Sequence, residues 1–128
     1  MARILVVDDN PLNANLARLQ LERAGYSVDT VPGAQPALAR LAPDSHDLVL
    51  TDISMPGMSG FDLLAAIRAR TELSRLRVLA HTAFAMPAQH QEFQRAGFDA
   101  IIVKPASREA LVRAVGEALA REREEVRQ

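Results

Sequence analysis

The chain has 128 residues, 48% apolar and 24% charged, with no low-complexity tract, and reads as one globular domain over residues 1–128. It has no cysteine, which excludes disulfides, thiolate zinc centres, iron–sulfur clusters and a cysteine nucleophile. Fifteen basic residues against sixteen acidic leave a formal charge of −1, which argues against a nucleic-acid surface.

The longest apolar run, Leu63–Ile67, falls far short of the ~20 residues a membrane-spanning helix needs. No signal-peptide pattern follows Met1, so a cytoplasmic location without membrane contact is expected. Arg3–Val7 is apolar and β-branched and reads as a buried strand. It halts at Asp8-Asp9-Asn10-Pro11, where Asn10 can cap a helix and Pro11 can take its first position. Leu12, Leu16 and Leu19 recur at helical spacing as that helix's apolar stripe, and Gly25 closes it. Ser27–Val31 is a second, more polar strand, expected at a sheet edge. Pro32-Gly33 breaks the chain before a short helix, Ala34–Leu41.

Asp47–Thr51 is a third strand, ending at Asp52. After the loop Ile53–Met58, Ser59 and Asp62 have capping-box spacing, and Phe61, Leu64 and Ile67 form a helical stripe. Arg77–Thr82 is a fourth strand, Pro87–Ala96 a helix closed by Gly97, and Ala100–Val103 a fifth strand stopped by Lys104-Pro105. Ser107 caps a last helix striped by Leu111, Val115, Ala118 and Leu119, and the chain beyond Arg121 is expected to fray. Five strands alternating with five helices imply right-handed crossovers and an α/β fold, a parallel sheet between two helical layers.

Ligands of such sheets bind beyond the carboxyl ends of the strands. Those ends carry Asp8 and Asp9, Asp52, Thr82 and Lys104, the chain's only lysine. Each alone has an ordinary structural role as a cap, a turn residue, a strand residue or a solvated charge. Together they define chemistry. Three clustered carboxylates repel unless a cation sits among them. A few oxygen ligands suit Mg²⁺, whose shell is completed by water and phosphate oxygens. Thr and Lys are donors whose natural partner is a phosphoryl group. No P-loop, dinucleotide fingerprint or nucleophile elbow is present. His46, His81 and His90 lack metal-ligand spacing, and His46 and His90 are expected to be exposed.

The stretches VVDDN (Val6–Asn10), DISMPGMSG (Asp52–Gly60), HTAFAM (His81–Met86) and VKPA (Val103–Ala106) carry a family likeness. Over essentially its whole length the chain resembles a response-regulator receiver domain of two-component phosphorelay signalling, of the single-domain, chemotaxis-regulator type. The resemblance implies a flavodoxin-like sheet of order 2-1-3-4-5. It implies that Asp52 is the phosphoacceptor, and that Mg²⁺ is held by Asp8, Asp9, Asp52 and the main-chain carbonyl of Ser54. Thr82 would hydrogen-bond the phosphoryl group, Lys104 would pair with it, and the Lys104–Pro105 peptide would be cis. The implied partner is a histidine kinase or histidine phosphotransfer protein, and the output a conformational change on the face of strand 4, helix 4, strand 5 and helix 5. No enzymatic turnover is implied beyond self-phosphorylation and autodephosphorylation.

By the same resemblance, Ser54 and Phe84 border the path of the hydrolytic water. Neither supplies a base, so a long-lived acyl phosphate is expected. Two positions depart from the family pattern. Ile101 stands where a switch Tyr or Phe is usual, and His81 stands where an apolar residue is usual, with a partly buried imidazole expected. Three other readings remain open: a receiver domain excised from a hybrid histidine kinase or larger regulator, a Mg²⁺-dependent phosphohydrolase, and a pseudo-receiver that binds without phosphorylation.

Overall fold

Strands as apolar as ILVV and LVLT can be buried on both sides only between two helical layers. The computed structural model describes residues 2–83 and 86–121. Its elements are β1 (Arg3–Val7), α1 (Pro11–Arg23), β2 (Ser27–Val31), α2 (Ala34–Arg40), β3 (Leu48–Thr51), α3 (Gly60–Arg68), β4 (Arg77–Thr82), α4 (Pro87–Ala96), β5 (Ala100–Val103) and α5 (Arg108–Ala120). A short 3-10 turn, Thr71–Leu73, was not expected from the sequence and leads into β4. The five strands are parallel in the order β2-β1-β3-β4-β5, as the resemblance implies. No helix among the described residues is long and apolar enough to cross a membrane. Phe84 and the segment beyond Arg121 lie outside the described residues.

Side-chain alternation along the strands divides the core in two. Leu5, Val7, Val49, Val78 and Ala80 pack under α2, α3 and α4 against Ala37, Leu64, Ile67 and Phe93. Ile4, Val6, Leu48, Leu50, Leu79 and Ile102 pack under α1 and α5 against Ala17, Leu21, Leu111 and Val115. β2, with only Val31 fully buried, is the polar edge strand.

Local signals hold the helix ends as expected. Asn10 Oδ1 accepts from the Leu12 and Asn13 amides at 3.0 and 3.2 Å, with Pro11 behind it. Ser59 and Asp62 form a reciprocal capping box, and Ser107 Oγ accepts from the Ala110 amide at 3.1 Å. Gly97 closes α4 in the left-handed region at φ +108°.

Four expectations need correction. Leu12, Leu16 and Leu19 face solvent, whereas the residues of α1 that reach the core are Ala14, Ala17 and Leu21. The alanines let the helix backbone lie close over the sheet, so residue size rather than hydrophobicity chose the buried face. His46 is buried, with Nε2 2.8 Å from Asp29 Oδ2 and Nδ1 3.0 Å from Ser45 Oγ. Its carboxylate partner lies on β2, seventeen residues back, where local pattern cannot reveal it. His90 is half-buried, and its buried Nε2 has no hydrogen-bond partner among the described residues. Finally, α2 ends at Arg40 and β3 starts at Leu48, each one residue shorter than expected.

Candidate functional site

All five strand-end residues lie at the carboxyl edge of the sheet. Asp8 and Asp9 follow β1, Asp52 follows β3, Thr82 ends β4 and Lys104 follows β5. The sheet register delivers them together: Val7 lies opposite Thr51, and Thr82 opposite Val103. The Asp52 amide donates to the Val7 carbonyl at 2.8 Å, and the Lys104 amide to the Thr82 carbonyl at 2.7 Å, so the ladder extends by one rung on each side of the site.

Carboxylate oxygens of Asp8, Asp9 and Asp52 lie within 4.8 Å of one another. Asp8 is buried and Asp9 exposed, so the cluster forms a cup open on the Asp9 side. Asp8 Oδ1 accepts from the Asn10 amide at 2.9 Å, which fixes its carboxylate plane. Lys104 Nζ donates to Asp8 Oδ2 at 2.9 Å and stands 3.6 Å from Asp52 Oδ2. The lysine therefore rests chiefly on Asp8. Asp52 Oδ1 accepts from the Ile53 amide at 2.7 Å, leaving Oδ2 on the lysine side. Burial raises the Asp52 carboxyl above its ordinary value; Lys104 opposes this, Asp8 adds to it, the Ile53 amide opposes it and Asp9 adds to it.

Three carboxylates facing one ammonium form a hard-oxygen donor set with uncompensated negative charge, and such a set fits a small divalent cation. Ser54 lies exposed in the loop after Asp52. Thr82 is buried at the end of β4, and Ile101 is part-buried against the core beneath α2, α3 and α4. Pro105 is exposed, and the peptide joining it to Lys104 is cis.

Sequence reasoning missed Gly60, the first residue of α3. Its amide donates to the Ile53 carbonyl at 2.9 Å. A Cβ there would stand 2.5 Å from the Asp52 carbonyl oxygen and 2.9 Å from Ile53 Cα. The available signal was a glycine at the start of a helix, where an ordinary side chain would have served.

His81 is partly buried on β4, as expected. Burial first, with the Lys104 charge adding and Asp8 opposing, lowers its imidazole from 6.5 to about 4. Below pH 6.5 the unfolded chain takes up a proton that the fold refuses, so stability should fall between pH 6.5 and about 4 and then level off. A displacement of that size corresponds to about 3 kcal/mol. His81→Leu should remove this acid-dependent loss, which denaturant melts of both proteins at neutral and acid pH will check. An equal loss in the variant would place the acid sensitivity elsewhere.

The family model described as response regulator receiver domain matches residues 4–116. The chain is 37% identical, over 88% of its own length and 86% of the relative's, to an uncharacterised 14.6 kDa protein of Leptolyngbya boryana. It is 38% identical to sensor protein GacS of Pseudomonas syringae over 88% of this chain, yet spans only 13% of that protein. Among solved structures, the chemotaxis protein CheY4 of Vibrio cholerae superposes with a TM-score of 0.85 at 30% identity, covering 92% of this chain and 98% of that one. The family model and the sheet order agree, and this chain belongs to the response regulator receiver domain family.

Proposed function

We propose that this chain is a phosphoacceptor that takes a phosphoryl group from a partner's phosphohistidine, or from a small phosphodonor, onto Asp52. The support is the cluster of three carboxylates faced by a single ammonium at the carboxyl edge of the sheet. Asp52 Oδ1 is engaged by the Ile53 amide, so Oδ2, on the Lys104 side, is the oxygen placed to attack. In an in-line displacement Oδ2 bonds to phosphorus while the phosphorus–nitrogen bond of the donor breaks, and the imidazole nitrogen leaves with its electron pair. Lys104 neutralises charge on the phosphoryl oxygens, and the Thr82 hydroxyl donates a hydrogen bond to one of them. Asp8, Asp9, Asp52 and the Ser54 carbonyl would hold Mg²⁺, which supplies charge neutralisation to the transferring group.

The new group brings about −1.5 to −2 charge into the site. Thr82 is drawn toward it, and the β4–α4 segment moves as a two-state element whose displaced face a downstream protein reads. The same chemistry serves as a free regulator, the setting matched by the 14.6 kDa relative of Leptolyngbya boryana, or as one module of a larger sensor protein, the setting matched by GacS.

Incubation with Mg²⁺ and acetyl phosphate, followed by intact mass, tests the reading. One added phosphoryl group per chain is expected. Continuous release of phosphate without labelled protein would favour a hydrolase instead.

Metal linkage gives a second expected result. Mg²⁺ at a hundredfold excess over its Kd should stabilise the wild type by about 2.7 kcal/mol. Asp9→Ala should lose that gain. With one carboxylate fewer in the cluster, metal-free Asp9→Ala should also melt no lower than metal-free wild type. A clearly lower melting temperature in the absence of metal would make Asp9 a structural residue.

A further inference from the structure

Four large apolar side chains are exposed among the described residues, and three of them, Leu12, Leu16 and Leu19, stand on α1 at 80%, 56% and 43% exposure. They occupy the side of the helix opposite the buried Ala14, Ala17 and Leu21. From Leu12 the stripe advances by four, three and four residues through Leu16 and Leu19 to Arg23. One helix pairs with another along a seam of that step pattern. The positions flanking the stripe are Asn13, Asn15, Gln20 and Glu22, so no row of like charge holds a second helix away.

The two ends of the stripe carry opposite charge. Arg23 is exposed and makes no ion pair among the described residues. It shares a groove with Arg108 and Arg113 of α5, where Glu109 is the one acidic residue of the lining. Leu12, at the other end, follows the loop that bears Asp8 and Asp9. Asp9 is exposed there, and beside it a cavity of about 330 Å³ opens between that loop and the end of β2, lined also by Asn15 and Thr30.

We infer that a second copy of this chain pairs with the first through α1, antiparallel, and that Arg23 of each copy enters the cavity beside Asp9 of the other. A two-fold axis at the middle of the stripe sets Leu16 against Leu19 and Leu19 against Leu16. From Leu12 to Arg23 the helix rises about 16 Å, so each arginine passes Leu12 of the other copy and arrives at the carboxylate end. A parallel pair sets Arg23 against Arg23 instead. A strip about 16 Å long and about 10 Å wide falls short of the roughly 800 Å² per partner that a stable interface buries, so the two copies associate weakly and exchange.

The second copy thus brings a cation to a cup in which three carboxylates face one ammonium. Its guanidinium relieves the same repulsion that a bound divalent ion relieves, and two cations at Asp9 repel each other. Metal therefore favours separated copies, and pairing lowers the affinity for metal by the same factor. This coupling, though not the pairing itself, rests on the phosphoacceptor reading and its metal.

Sedimentation velocity of metal-free wild type between about 1 and about 300 µM should show monomer passing to dimer. Leu16→Glu and Arg23→Glu should each weaken the dimer about tenfold or more, and joining Arg23→Glu to Asp9→Arg should restore it. Excess Mg²⁺ should weaken the wild-type dimer about tenfold or more and raise the melting temperature of monomeric Leu16→Glu. At about 1 µM, where wild type is monomeric, acetyl phosphate with Mg²⁺ should label wild type and Leu16→Glu alike.

A wild type that stays monomeric throughout overturns the inference. So does a dimer that Leu16→Glu or Arg23→Glu leaves intact, or one that Mg²⁺ leaves intact while raising the melting temperature of Leu16→Glu. If Mg²⁺ moves neither quantity, the cup is not a metal site and the coupling falls, while the charge variants still decide the pairing. Failure of acetyl phosphate to label wild type overturns the phosphoacceptor reading and leaves the dimer standing.

Discussion

Asp52→Asn should remain unlabelled under conditions in which wild type gains one phosphoryl group. Asp52 Oδ2 stands 3.6 Å from Lys104 Nζ, and its carboxylate lies beside those of Asp8 and Asp9. Its Oδ1 is occupied by the Ile53 amide. An asparagine keeps the shape and can keep that hydrogen bond, but its amide is no nucleophile. Labelling should therefore fall to background rather than merely slow. The same variant has an opposite effect on stability. In the metal-free protein the Asp52 carboxyl is raised above 3.8, chiefly by burial, so its ionised form destabilises the fold at neutral pH. Asp52→Asn should melt higher than metal-free wild type at pH 7, and the difference should vanish as the pH falls below 3.8. Labelling of the asparagine variant at the wild-type level would move the acceptor to another residue.

Gly60→Val should damage both fold and labelling. A Cβ at Gly60 meets the backbone oxygen of Asp52 and the Cα of Ile53, atoms that cannot swing aside as a side chain could. The start of α3 or the residue that bears the acceptor carboxylate must shift. Overpacking of this kind costs about 1–3 kcal/mol. A displaced nucleophile loses in-line alignment, and a drop of about a hundredfold in the labelling rate is expected. Gly57 supplies the contrast. It sits in the same loop at φ +80° with open space where a Cβ would lie. Gly57→Ala should cost about 1–2 kcal/mol of backbone strain yet leave labelling close to wild type. Equal labelling by Gly60→Val and wild type would show that the loop absorbs the clash without moving Asp52.

The alternation of strands and helices, their caps and the five strand-end residues were legible because each is written in local pattern. A run such as LVLT, a Ser59–Asp62 box or an Asn10-Pro11 start acts over a few residues. What escaped depends on residues far apart in the chain. Lys104 rests on Asp8, ninety-six positions away, and strand-end placement alone does not say which of three carboxylates will hold it. His46 is buried because Asp29 on β2 accepts it. On α1, hydrophobicity pointed to the leucines, but the closeness of helix and sheet favoured alanine, a matter of packing distance that periodicity does not carry.

Ile101 has neither a ring to swing nor a hydroxyl to hand on, yet β4 and β5 are not independent at the site. The Lys104 amide is tied to the Thr82 carbonyl by a bond of 2.7 Å, the last rung between the two strands. The residue that would grip the phosphoryl group through its hydroxyl and the residue that would grip it through its ammonium are thus fastened back to back through their main chains. A pull on one is a pull on the other. In this chain the mechanical linkage between acceptor and output face can run through peptide backbone, which no side-chain substitution at Ile101 would sever, and the exchange rate of a single amide proton, that of Lys104, is where the tension would register.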